Sequence, residues 1–118
     1  MARRRTTPKP KLSADALIAV ARRFRALSDP TRLALLQELM QGERTVGELT
    51  EAAETSQANA SKQLAALAAE GILGRRKQGV RVYYRIVDPS ISALCELVCG
   101  SLAQRHQAAW ALVAQERA

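Results

Sequence analysis

Between Gly71 and Asp88 the hydrophobic residues stop recurring every three or four positions and begin to alternate. In "ILGRRKQGVRVYYRIV", Val80, Val82, Tyr84 and Ile86 interleave with Arg81, Tyr83 and Arg85. Successive side chains of a strand point to opposite faces, so this run predicts two strands around a turn at Gln78–Gly79. On both sides of it the spacing is helical. One hairpin set among helices is the constraint the rest of the chain has to satisfy.

Upstream, Ser13 is a good N-cap with Asp15 near the positive helix end, and Leu17, Val20, Ala21, Phe24 and Leu27 form one apolar stripe. "SDPTRLALLQELMQG" restarts a helix, with Asp29 as cap, Pro30 at the first position, Gly42 at the exit, and Leu33, Leu36, Leu39 and Met40 facing inward. A short helix follows in "TVGELTEAA", capped by Thr45 and anchored by Val46 and Leu49. After a brief turn, "SQANASKQLAALAAEG" forms another, capped by Ser56, closed by Gly71, and burying Ala60, Leu64, Leu67 and Ala68. Two such helices with a tight connection predict a helix-turn-helix. Beyond the hairpin, "DPSISALCELVCGSLAQRHQAAWALVAQ" reads as one long helix to about residue 113, with Ile91, Leu94, Cys95, Val98 and Leu102 on one face.

The chain has 118 residues, which favours one domain. Only 3% of them are aromatic, so the core must be built from Leu, Ala, Val and Ile, a bias that suits packed helices more than a β-sandwich. No apolar run approaches the ~20 residues of a membrane span. The basic N-terminus lacks a following apolar segment, so it does not read as a secretory signal and a cytoplasmic protein is expected. Residues 1–12, with Arg3, Arg4, Arg5, Lys9 and Lys11, read as a disordered basic arm, and 114–118 as a tail. There is no Gly-rich phosphate loop, no plausible nucleophile–base pair and one histidine, so neither an enzyme nor a required cofactor is expected.

The net charge is +7 and the sequence pI about 10.3. Such a balance favours a polyanionic partner, nucleic acid or an acidic membrane surface, over a merely soluble surface only if the charges are placed for it. In a helix-turn-helix the first turns of the second helix face base edges. Without its buried residues, the helix capped by Ser56 leaves Gln57, Asn59, Ser61, Lys62 and Gln63, all in its first half. Gln and Asn suit adenine, Ser several bases, Lys guanine or phosphate. The hairpin adds Arg75, Arg76, Lys77, Arg81 and Arg85, with no acidic residue from Gly71 to Val87. Alternation sends Arg75 and Lys77 one way and Arg76 the other. Double-stranded DNA is the expected partner, and a membrane is not. A solvated helix face and hairpin on a winged-helix module that binds protein instead is the competing reading.

Three segments carry a family resemblance: "FRALSDPTRLALLQEL", "TVGELTEAAETSQANASKQLAALAAEGIL" and "GRRKQGVRVYYRIVDPS". Over roughly residues 15–105 the chain resembles the ArsR/SmtB family of bacterial winged-helix repressors. The fold expected is therefore mainly α with a small β-hairpin, a winged helix-turn-helix over residues 13–113. The resemblance implies a homodimer built from the first and last helices, an inverted-repeat operator, and release by an inducer, often a metal or metalloid ion. The stripes of those two helices are independently more apolar than one small core needs.

The resemblance also implies where inducer ligands should stand. Thr45 and Gly47 occupy the family's C-x-C positions. Its D-x-H-x(10)-H-x-x-E/H zinc pattern keeps Asp88 but has Ser90, Ser101 and Gln104 at the other ligands, too few to hold zinc. His106 is misplaced for the pattern and expected to face solvent. That leaves Cys95 and Cys99, expected as reduced thiols on one helix face with Cβ atoms ~5–6 Å apart. They could clasp a soft ion such as As(III), act as a redox or reactive-sulfur switch, or serve as small core residues.

Overall fold

The structure is a computed structural model in which residues 8–106 are described. Most of the basic arm, the last helical residues expected up to 113 and the tail lie outside that span. The order is α1 Ala14–Leu27, α2 Pro30–Leu39, β1 Arg44–Thr45, α3 Val46–Ala52, α4 Gln57–Ala69, β2 Leu73–Gln78, β3 Arg81–Ile86 and α5 Pro89–Arg105.

Each helix begins where a side chain can accept an orphan backbone N–H. Ser13, Asp29, Ser56 and Asp88 cap α1, α2, α4 and α5, and Pro30 and Pro89 open the two Asp-capped helices. Thr45 and Glu48 form a reciprocal capping box on α3. The end of α4 is a Schellman motif: Ile72 N–H donates to the Leu67 carbonyl and Gly71 N–H to that of Ala68, with Gly71 at φ +77°. The motif turns the chain directly into β2 and drives Ile72 into the core.

That core joins Leu35, Leu36 and Leu39 of α2, Leu49 of α3, Leu64 and Leu67 of α4, Ile72, Leu73, Tyr84 and Ile91. It sits under the helix-turn-helix and the sheet, so α3, α4 and the hairpin form one body. The ends of α1 and α5 contribute Ala26, Leu27 and Ile91, while most of both helices lies on the outside.

Three details differ from the sequence expectation. The sheet has three strands in the order β1-β3-β2, because Arg44 and Thr45 pair with Tyr84 and Tyr83 on the otherwise free edge of β3. Two residues are too few to show an alternation. The hairpin loop is Gly79–Val80 rather than Gln78–Gly79, since Gln78 pairs with Arg81. Positive φ at the first central residue only (Gly79, +62°) is the type II′ pattern, and Gly takes that place without strain. Val80 therefore sits at the tip, 97% exposed, instead of on a strand face. Finally, Leu35 is buried on α2 while Leu33 is partly exposed. With α1, α3, α4 and β3 all packed around α2, its covered arc is wider than one stripe and leaves Leu33 on the open side.

Candidate nucleic-acid interface

The exposed face of α4 is narrow and polar at its N-terminal end. Ser56, Gln57, Ser61 and Lys62 point outward, followed by Ala65, Ala66 and Ala69. The Ser56 hydroxyl accepts from the Asn59 N–H as the cap. Asn59 and Gln63 are half-buried and belong to a relay inside the protein. Arg32 Nε donates to Gln63 Oε1 (2.6 Å), Gln63 Nε2 to Asn59 Oδ1 (3.4 Å), and Asn59 Nδ2 to Thr55 Oγ1 (2.9 Å). Arg32 also donates to the Arg25 and Ala26 carbonyls at the end of α1. The relay fastens the first turns of α4 to α2 and fixes which residues are left facing outward.

The turn between α3 and α4 holds Glu54 at φ +51°, a left-handed conformation that a side chain adopts at some cost. The N-terminal residues of α3 and α4 border one open cleft. That cleft is lined by Thr45, Val46, Gly47, Glu48, Gln57, Ser61, Val80, Arg81, Val82 and Tyr83. Gln57 and Ser61 thus face the tip of the β2–β3 hairpin, the wing of the fold, across it. Glu48 was not among the sequence candidates, although Thr-x-x-Glu spells a capping box. Its carboxylate accepts from the Thr45 N–H, which holds its pKa below the ordinary value.

The hairpin divides its cations between two faces. Register pairs Arg75 with Tyr84 and Lys77 with Val82, so both cations stand on the face turned toward α4. A groove lined by Ser61, Ala65, Ala68, Arg75, Val82 and Tyr84 separates the two elements. Arg81 pairs with Gln78 and shares the opposite face with Arg76, Tyr83 and Arg85. The sequence candidates are therefore brought together at one end of the molecule, but in two sets: Arg75 and Lys77 beside α4, Arg81 at the tip. Arg75, Lys77, Arg81, Arg85 and Lys62 are exposed and make no ion pair among the described residues. A Cβ at Gly74 would lie 2.7 Å from Val87 Cγ1 and 3.1 Å from Cζ of Arg85, which folds over it, so a larger residue there would have to displace one of these side chains.

Exposed unpaired cations around a helix with bare amide and hydroxyl ends form a surface fitted to a polyanion. Residues 29–74 match the bacterial regulatory protein, arsR family. The chain is 32% identical over 97 residues to the transcriptional activator HlyU of Vibrio cholerae, covering 82% of this chain and 86% of that protein. The chain belongs to the ArsR/SmtB family. It is also 44% identical over 77 residues to a "Probable mercury resistance operon repressor" of Streptomyces lividans, covering 65% of this chain and 62% of the relative. The homodimeric winged helix-turn-helix DNA-binding domain of a Mycobacterium bovis protein superposes with a TM-score of 0.69. That match is 37% identical and covers 80% of this chain and 86% of the other.

Within this ArsR/SmtB chain, the positions the family resemblance assigns to zinc do not suit zinc. Asp88 is the N-cap of α5, accepts from the Ser90 hydroxyl and N–H, and accepts from Arg23 of α1. The Ser90 hydroxyl and N–H, with Arg23, keep its carboxyl below the ordinary carboxylate range. Among the described residues no three His, Cys, Asp or Glu side chains gather to hold a metal ion. His106, at the end of α5, is exposed. Cys95 is half-buried against the core, whereas Cys99, one turn on, is exposed. Burial, and then the Cys99 thiol, push the Cys95 pKa upward, which works against the thiolate.

Proposed function

We propose that this chain is a homodimeric, DNA-binding transcriptional repressor. Gln57, Ser61 and Lys62 would read base edges in the major groove. Ser56, Arg75, Lys77 and Arg81 would hold the flanking phosphates or the minor groove, and Asn59 and Gln63 would set the angle of the reading helix. The observation that carries this reading is the grouping of unpaired cations around the exposed amide end of α4. A dimer would be closed by α1 and α5, whose apolar residues Leu17, Phe24, Val98 and Leu102 are 55%, 54%, 50% and 40% exposed in the single chain. Two recognition helices related by a two-fold axis would fit an inverted-repeat operator.

The inducer would act at Cys95 and Cys99. A soft metal or metalloid ion, As(III) among them, would bridge the two thiolates, with any third donor supplied from the partner. A thiol-oxidising or reactive-sulfur signal is the second reading. It is favoured by the exposure of Cys99 and by the lack of a three-donor cluster among the described residues. Helical i,i+4 spacing leaves the Cβ atoms ~5–6 Å apart, beyond the ~3.8 Å of a relaxed disulfide, so oxidation would distort α5 or link subunits. The test is release from DNA by As(III), Cd(II) or persulfide, in wild type and in the double Cys95→Ser, Cys99→Ser protein. The double variant should bind DNA as well as wild type and ignore the inducer. A retained response would move the sensor elsewhere.

A further inference from the structure

Among the cations of the hairpin, Arg76 stands apart. Its Nε and Nη2 donate to the two carboxylate oxygens of Glu43 at 2.9 and 2.8 Å, a two-pronged pair. Its Nη1 donates to Gln78 Oε1 at 2.8 Å, and the guanidinium lies 4.2 Å above the centre of the Tyr83 ring. Glu43 immediately precedes β1, Tyr83 belongs to the central strand β3, and Arg76 to β2. The side chain therefore crosses the whole sheet on its outer face and fastens one outer strand to the other. The Glu43 carboxyl is held below its ordinary range chiefly by the Arg76 hydrogen bonds, with Arg85 adding to the field. A guanidinium already matched by a carboxylate offers little net charge to a phosphate.

We propose that Arg76 and Glu43 are positioning residues for DNA binding. They fix the tilt of the β2–β3 wing, so that Arg75 and Lys77 on one face and Arg81 at the tip meet the duplex together. The inference rests on the DNA-binding reading given above. Glu43 is an anion beside a surface that binds an anion, and removing its charge should nevertheless weaken binding.

The experiment compares Glu43→Gln and Arg76→Lys with wild type on duplex DNA from the chain's own upstream region, across salt concentrations. Lys77→Ala serves as the reference for a direct phosphate contact. Both brace variants should bind roughly three- to fivefold more weakly, the scale of an exposed ion pair, with an unchanged salt slope. Lys77→Ala should flatten the slope by about 0.9. If Glu43→Gln binds as tightly as wild type or more tightly, the brace does not position the wing. If Arg76→Lys keeps full affinity, position 76 acts as a simple charge and the proposal fails. Amide hydrogen exchange of the free protein separates this from the parent reading. Glu43→Gln should speed exchange in residues 76–83 and leave α4 unchanged. Faster wing exchange in a protein that binds no DNA would sink the repressor reading and leave the brace standing. Unchanged wing exchange would overturn the brace whatever the DNA result.

Discussion

The two halves of this molecule treat their apolar residues in opposite ways. In the helix-turn-helix and sheet, Leu49, Leu64, Leu67 and Ile72 are fully buried, and apart from Val80 at the hairpin tip and the small alanines of α4 what remains outside is mostly polar or charged. On α1 and α5, Leu17, Ile18, Phe24, Leu97 and Val98 are at least half exposed. The helices of both halves carry the same three- and four-residue spacing in sequence. One of them is completed by its own chain and the other is left open, a difference that follows from packing order rather than from composition. Under the proposed function the closed half faces the charged duplex and the open half is covered by a second copy.

The largest expected effect lies in the closed half. Leu36→Ala should lower stability by about 2–5 kcal/mol in denaturant titration, because Leu36 of α2 is fully buried in the core. A loss under 1 kcal/mol would mean the core is looser than described. In the open half, Phe24→Asp should leave far-UV circular dichroism intact yet shift sedimentation from dimer to monomer and sharply weaken DNA binding. Unchanged mass would show that the α1 stripe is covered by something other than a second copy.

On the polar surface, Lys62→Ala should cost about 1–3 kcal/mol of operator affinity if Lys62 reads a base. The neighbouring Gln63→Ala should act instead through the relay to Arg32 and lower thermal stability as well. Equal losses without any stability change would erase that distinction. The smallest effect concerns acid. Glu43, Glu48 and Asp88 all have carboxyl pKa values below the ordinary value near 4. Depressed values stabilise the fold above the unfolded pKa, and this contribution disappears as pH falls through the folded values. Stability should therefore be flat from pH 7 to 5 and decline below about 4. A decline setting in near pH 6 would mean that groups other than these three carboxylates govern the acid limb.

Much of this was legible in the sequence because each helix announces its start. Ser13, Asp29, Thr45, Ser56 and Asp88 are all capping residues, and the change of period marks the hairpin. The register-dependent split of Arg75 and Lys77 from Arg76 also follows from alternation alone. What was not legible depends on long-range pairing. Nothing near Arg44 announces a strand that exists only because β3 has a free edge. Nor does local spacing reveal that Arg32 reaches Gln63, 31 residues on, or that Glu43 reaches Arg76 across 33. Those two contacts decide which polar residues of α4 and the wing are free, so the candidate list was broader than the surface that faces outward.

The most direct test is the affinity of the chain for duplex DNA from its own upstream region, measured against salt together with the stoichiometry of the complex. Two copies per site are predicted, with log affinity falling steeply and linearly against log salt, by about 0.9 for each phosphate neutralised. Salt-independent binding, or one copy per site with no preference for that DNA, would contradict a dimeric repressor that grips the duplex with α4 and its wing.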